Sequence, residues 1–199
     1  MNSQVNDRTA LRQRLKQLRR AVPAAARRMA AVAVAHHIRR TFKLRPGMRV
    51  AVYAPLPSEL DTAPLVRLAR QRGCHIYLPR ITDLRRRRMQ FVESGGPMRR
   101  NHLGIFEPVR FRRQSARRLD LVFVPLVGFD ATGMRLGMGA GYYDRAFAFL
   151  RQRRHWIHPR LIGLAYSFQQ VPRIEGAVHD VHLNSVVTER GPIKCITGY

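Results

Sequence analysis

Between Gly133 and Arg145 the chain reads GMRLGMGAGYYDR, with four glycines in nine residues, then two tyrosines, an aspartate and an arginine. Gly137, Gly139 and Gly141 carry no side chain to hold a ligand away from the backbone. Where such a loop follows a strand and opens a helix, the free N–H groups of the first turn suit an anion. Arg135 and Arg145 add charge fit for a polyphosphate, and Met138 and Ala140 complete the loop. Asp144 falls in the first turn of a helix expected over 142–154. There it either answers the helix dipole or, beside bound phosphates, holds Mg²⁺ directly or through water. Tyr142 and Tyr143 either pack under the loop or offer a ring and a hydroxyl to a substrate. The spacing is neither GxxxxGK[ST] nor GxGxxG, so neither familiar nucleotide loop is present. Alone, the glycines suit a flexible turn equally well.

Other residues with chemical potential lie far away in sequence. Glu59 follows an apolar stretch and can accept a proton, or it is a loop acid ahead of Thr62, which suits a helix cap. Arg8 and Arg12 are four apart and share a helix face; a solvated basic face is the simpler reading. Asp180 stands between His179 and His182, but no partner ligands show transition-metal spacing. Met89, Phe91, Phe106 and Pro108 either wall an apolar ligand or belong to the core.

These residues need elements to bring them together. Leu11, Leu15 and Leu18 give a helix over 8–20, and a second helix is expected over 24–41 after Pro23. MRVAVYAPL reads as a buried strand, HIYLPRI as a strand stopped at Pro79, and RRMQFVE as a third. LDLVFVPLVGF is apolar almost throughout, as the centre of a parallel sheet requires. RLIGLAYS and NSVVTE follow as further strands, and a helix is expected over 63–72. Strands alternating with helices predict a single three-layer α/β/α domain over 1–199, built on a mostly parallel sheet. The N-terminal helices, 6–42, are expected on or near the loop that holds the anion.

The 199 residues include 37 Lys and Arg against 12 Asp and Glu, a formal charge of +25. Such a surplus predicts nonspecific attraction to polyanions at low salt. The arginines run along the whole chain, from RQRLKQLRR to RQRRHW, rather than on one element, which argues against a specific nucleic-acid module. No apolar run is long enough to span a bilayer, and no membrane partner is expected. The N-terminus lacks an apolar signal core. Cys74 and Cys195 form no framework. A cytoplasmic monomer is the expectation.

With Tyr142, Tyr143, Asp144 and Arg145 added, the glycine loop resembles the signature of the 5-formyltetrahydrofolate cyclo-ligase family, also called methenyltetrahydrofolate synthetase. RTALR, YAPLPSELDT, LGIFEP and VPRIEGAVHDVHLNSVVTE resemble its other segments, in the same order. The resemblance covers nearly the whole chain. It implies conversion of 5-formyltetrahydrofolate and MgATP to 5,10-methenyltetrahydrofolate, ADP and phosphate. It implies that Arg8, Arg12, Arg135, Gly137, Met138, Gly139, Ala140, Gly141, Tyr142, Asp144 and Arg145 bind ATP. Leu56, Glu59 and Tyr143 would bind the folate, Glu59, Arg135 and Tyr143 would act in catalysis, and Asp144 and Asp180 would hold Mg²⁺. The chain departs from the family at Arg8, where lysine is common, at Ala140, where glycine or lysine is frequent, and at Met138, where some members have arginine. A nucleic-acid-binding protein, or a sugar-phosphate isomerase or CoA-transferase-like enzyme on a similar sheet, are the rival readings; Glu59 and YYDR together argue against the last two.

Overall fold

Val50 and Val52 point to one side of the chain's central strand and Ala51 to the other, and all three are buried. A strand buried on both faces must lie inside a covered sheet. The computed structural model describes residues 2–100, 104, 106–109, 113–152 and 158–196. Leu103 and Ile105 of LGIFEP, and 153–154 of the expected long helix, lie outside these, as do the side chains of Phe106 and Pro108. The helices are α1 (Asn2–Ala21), α2 (Ala24–Thr41), α3 (Ala63–Gln71) and α4 (Tyr142–Ala146). The strands are β1 (Arg49–Ala51), β2 (His75–Asp83), β3 (Arg88–Glu93), β4 (Met98–Arg100), β5 (Phe106–Pro108), β6 (Arg113–Gln114), β7 (Leu121–Pro125), β8 (Gly128–Phe129), β9 (Arg135–Leu136), β10 (Arg160–Leu164), β11 (Ser185–Thr188) and β12 (Gly191–Lys194).

Eight strands form one mixed, mostly parallel sheet in the order β12-β11-β10-β7-β1-β2-β3-β6. Strands β11, β10, β7, β1 and β2 pair in parallel, while β12 at one edge and β3 and β6 at the other join by antiparallel pairing. Val50, Ile76, Phe123, Ile162 and Val187 pack with Val34 and Ile38 of α2 and Leu65 and Ala69 of α3. On the other face Ala51, Val122, Val124, Leu161 and Val186 pack with Phe147 just after α4. Helices α2 and α3 thus cover one face and the short α4 with the turns around it the other, and burying each large aliphatic chain contributes roughly 1.5–3 kcal/mol.

From β1 the chain crosses over through α3 to β2 on one side; from β7 it proceeds to β10 on the other. The C-terminal mouth between β1 and β7 is therefore a switch point, where open parallel sheets form a crevice. Three local features differ from the sequence expectation. Strand β2 runs on through Pro79. The Ser94 N–H donates to Ile76 O, so hydrogen-bonded pairs alternate from that position and Pro79 faces the β1 side. Pairing with β1 has already ended at Tyr77, so the missing N–H of Pro79 breaks no bond. Thr62 does not cap α3 with its side chain. Its hydroxyl donates to Tyr53 O at 3.0 Å, and Asp61 Oδ1 instead accepts the Ala63 N–H at 2.9 Å. Finally, the helix after the glycine loop ends at Ala146, and a 3-10 turn over Ala148–Gln152 follows.

Candidate active site

The glycine loop hangs from a short hairpin whose shape is set by Asp130. Its Oδ1 accepts the Thr132 N–H at 2.9 Å, the Thr132 hydroxyl at 2.6 Å and the Met134 N–H at 3.2 Å. Its Oδ2 accepts the Ile174 N–H at 2.8 Å. One buried carboxylate thereby ties the β8–β9 turn to the segment before Asp180. Helix α1 lies on this hairpin through Leu15, which packs with Val127, Leu136 and Ile174. The approach is so close that a Cβ on Gly128 would stand 2.6 Å from Leu15 Cδ1.

The loop itself opens outward. A Cβ added at Gly137, Gly139 or Gly141 would meet nothing within 4 Å. Gly139 (φ +106°) and Gly141 (φ +68°) need glycine for their backbone alone. Gly137 has no positive φ, so neither conformation nor packing accounts for its bare Cα. Met138 is exposed and Ala140 half-buried, with the Arg87 guanidinium 3.5 Å from Ala140 O. Because α4 has only five residues, it offers a small dipole, and an anion here would depend on individual N–H groups and nearby cations.

Helix α1 supplies those cations. Arg12 Nε donates to Gly137 O at 2.9 Å, and its terminal nitrogens make no bond with any described residue. Arg8 Nη1 lies 3.0 Å from Glu175 O and 3.3 Å from Asp180 Oδ2. Arg135, by contrast, is turned inward. Its side chain is 5% exposed, Nη2 is 2.5 Å from Asp144 Oδ1, and Nη1 donates to Val181 O. It holds Asp144 and does not extend into the loop. Asp144 Oδ1 also accepts the Val181 N–H at 3.1 Å. Arg145 is exposed on α4, and Tyr142 is half-buried.

Glu59 lies on the β1 side of the mouth. The Glu59 N–H donates to Leu56 O at 2.8 Å, and the Leu56 N–H donates back to Glu59 Oε2 at 3.0 Å. This turn folds the carboxylate inward, against Arg19 Nη1 at 3.7 Å. The two side chains are 7% and 4% exposed. Burial raises the carboxyl pKa; the Leu56 N–H, then Arg19 and Lys16, oppose it. The Tyr143 phenol is pushed up by burial, then by the charge of Glu59, and is lowered by Arg135. It thus stays protonated, electrostatically coupled to both sides of the mouth, with its ring stacked 6.4 Å from that of Phe147. Phe91 is buried against Phe147 as plain core, with Met89 packed beside it.

Three residues that position this site carry no signal in the sequence. Arg19 sits in a run of arginines, yet it is buried, reaching Ser58 Oγ at 3.3 Å and Leu126 O at 3.2 Å as well as Glu59. Asp130 looks like a turn residue. Gln169 Nε2 clamps Leu126 O and Val127 O at 3.1 and 2.8 Å. Only the seven-residue step from Arg12 to Arg19, two helical turns, could have placed Arg19 on the same face.

Asp144 and Asp180 are the residues that could hold a hard divalent cation, although among the described residues no three His, Cys, Asp or Glu side chains cluster as a metal-binding group. Asp144 bonds through Oδ1, and Asp180 through Oδ2, which also accepts the Ala177 N–H at 2.9 Å. The second oxygen of each makes no bond among the described residues. Asp180 and Val181 are chain neighbours, so the Val181 N–H bond sets the Asp144 carboxylate beside the Asp180–Val181 peptide. Mg²⁺ takes one or two carboxylates and fills the rest of its octahedron with phosphate oxygens and water.

The model of the 5-formyltetrahydrofolate cyclo-ligase family matches residues 4–189. The 5-formyltetrahydrofolate cyclo-ligase of Haemophilus influenzae is 30% identical over 194 residues, covering 94% of this chain and 99% of its own. That of Escherichia coli K12 is 34% identical over 145 residues, covering 70% and 76%. Among solved structures, the 5,10-methenyltetrahydrofolate synthetase of Aquifex aeolicus superimposes with a TM-score of 0.79 at 26% identity, over 96% of this chain and 94% of that one. The enzyme of the same name from Mycoplasma pneumoniae, at 21% identity and a TM-score of 0.74, shares the fold.

Proposed function

Since the chain belongs to the 5-formyltetrahydrofolate cyclo-ligase family, and is therefore a carbon–nitrogen bond-forming ligase, we propose that it spends ATP, with Mg²⁺, to close the methenyl bridge of a reduced folate. The formyl group on N5 is an amide whose oxygen leaves poorly. Transfer of the γ-phosphoryl group to that oxygen releases ADP and creates a phosphate ester. N10 then attacks the same carbon, phosphate departs with the C–O bond pair, and the N10 proton passes to a base. Phosphoryl transfer demands positioning and charge neutralisation more than a nucleophile from the protein.

The observation that carries this reading is Gly137. Its bare Cα serves neither the backbone nor the packing, and Arg12 is anchored on its carbonyl with its guanidinium end unspent. A triphosphate on the Gly137–Gly141 amides accounts for both. Arg12 and Arg8 neutralise its charge, with Met138, Ala140, Tyr142 and Arg145 lining it. Asp144 and Asp180 would hold Mg²⁺, which supplies charge neutralisation at the transferring group. Arg135 acts through Asp144, whose carboxylate it orients. Leu56, Glu59 and Tyr143 meet the folate. Glu59, made more basic by burial, accepts the N10 proton, and the neutral Tyr143 hydroxyl donates a hydrogen bond to the substrate. The N-terminal helices complete the ATP site as part of one domain.

The test is direct. Purified protein is mixed with 5-formyltetrahydrofolate and MgATP, and methenyltetrahydrofolate is followed by its near-ultraviolet absorbance alongside released phosphate. Equal amounts of product and phosphate are expected. Folded protein giving neither, or product without ATP, refutes the reading.

A further inference from the structure

We infer that the pole opposite the active site is a docking face for the phosphate backbone of duplex nucleic acid, bound without regard to sequence. In a parallel α/β fold the starts of the strands and the ends of the helices share one pole. Here that pole gathers arginines that are far apart in the chain. Arg39, Arg40, Lys43 and Arg72, from the ends of α2 and α3, line a cleft of about 250 Å³ over Phe42. None of the four side chains makes a hydrogen bond or ion pair with a described residue.

The basic surface continues across three neighbouring strand starts. The Arg160 guanidinium stands 5.4 Å from the Phe42 ring centre. Arg49 Nη1 donates to Arg118 O at 3.1 Å. Asp120 lies between them, with its Oδ2 accepting the Arg49 N–H at 2.7 Å, and it forms no ion pair with any of the four cleft cations. Basic residues at a helix end suit the dipole, but that explains a cation or two per helix, not a shared cleft joined to strand starts.

Three observations select the occupant. The cations span two helix ends and three strands spaced roughly 4.8 Å apart, more than a single phosphate group would engage; a duplex presents about one charge per 1.7 Å. Phe42 is a buried floor, so the exposed aromatic platform that binds single strands is missing. None of the exposed large apolar residues lines this cleft; Met29 and Val32, in the first half of α2, belong to a separate groove, so the cleft itself carries no apolar wedge of the kind a membrane-inserting face requires.

The test uses the full chain and a short fluorescein-labelled DNA duplex of arbitrary sequence, read by anisotropy across a salt series. A variant with Arg39, Arg40, Lys43 and Arg72 all changed to Gln is compared with one carrying the same charge loss on other faces: Arg14, Arg85, Arg86 and Arg190, all to Gln. Circular dichroism verifies that both fold. The pole variant is expected to bind at least about tenfold more weakly and to lose about 3 to 4 from the slope of log affinity against log salt, with the dispersed variant much closer to the parent. Saturating duplex is expected to leave turnover of the parent enzyme unchanged, because the pole is remote from the mouth. Equal losses in both variants, or none in either, would mean that net charge alone drives binding and would overturn the proposal. Loss of binding to phosphatidylserine vesicles but not to the duplex would make the face a membrane site instead, and competition between duplex and ATP would move the duplex to the active site.

Discussion

Glu59 is an acid that the fold makes harder to ionise, because burial outweighs the Leu56 N–H and the cations Arg19 and Lys16. Turnover that needs its carboxylate falls as pH drops through its raised pKa, so the acid limb of kcat/KM lies above the ordinary carboxylate range. Arg19 lowers that pKa, so Arg19→Met moves the limb to higher pH, and Arg19→Lys restores most of it; a pH-rate profile with the limb unmoved would remove Arg19 from the site. The charged and polar groups facing Glu59 are Arg19 and Lys16 on α1, Tyr53 at the end of β1 and Tyr143 on α4. At the proposed metal site, Asp144→Asn keeps an acceptor for the Val181 N–H but loses the charge. It should cut kcat by on the order of a hundredfold and raise the Mg²⁺ concentration for half-maximal rate, whereas an unchanged Mg²⁺ titration would discount Asp144 as a ligand. Arg8, Arg12, Glu59 and Asp144 stood out in the sequence as residue types that can neutralise phosphate, hold a metal or accept a proton, and their roles here are those of the proposed function. Arg19 did not, since burial of one arginine in a basic run depends on which helix face meets the sheet.

At the scale of elements, the loop's glycines divide into two kinds. Gly139 and Gly141 are backbone requirements. Gly137→Ala meets no atom of the protein and suits the local φ, so stability should stay within about 0.5 kcal/mol. If a phosphate rests there, the methyl breaks one charge-assisted contact, about 1.5–3 kcal/mol, and KM for ATP rises roughly tenfold to a hundredfold. Parental ATP kinetics in this variant would contradict the assignment. Asp130→Ala should behave in the opposite way, lowering unfolding free energy by about 3 kcal/mol in a urea titration, because four donors lose their acceptor. Strand positions were readable from apolar runs such as LVFVP. The helix expected over 142–154 was not: the pattern of Phe147, Phe149 and Leu150 suits both an α-helix and the 3-10 turn that formed, with the break at Phe147, whose ring lies 5.5 Å from that of Phe91. Strand β12 also escaped notice, since Gly191–Lys194 is an antiparallel edge with half of its residues exposed.

For the whole molecule, the parallel sheet separates two charged ends. One holds arginines that face acids and loop carbonyls; the other gathers Arg39, Arg40, Lys43 and Arg72, whose side chains have no described partner. The fold class followed from alternating strand and helix patterns, whereas the gathering of charge could not, because dispersion along a chain says nothing about convergence in space. Turnover and duplex binding should therefore respond independently: salt weakens duplex binding steeply, while substitutions in the basic cleft leave kcat/KM for the folate within about twofold.

The central claim is that a nucleotide's phosphates rest on the amides from Gly137 to Gly141 beneath Arg12. The most direct measurement is a crystal structure with MgADP. The β-phosphate is predicted within hydrogen-bonding distance of these amides and of the Arg12 guanidinium, with the metal against Asp144 or Asp180. ADP bound elsewhere, with the Gly137 amide facing only solvent or protein, would contradict it.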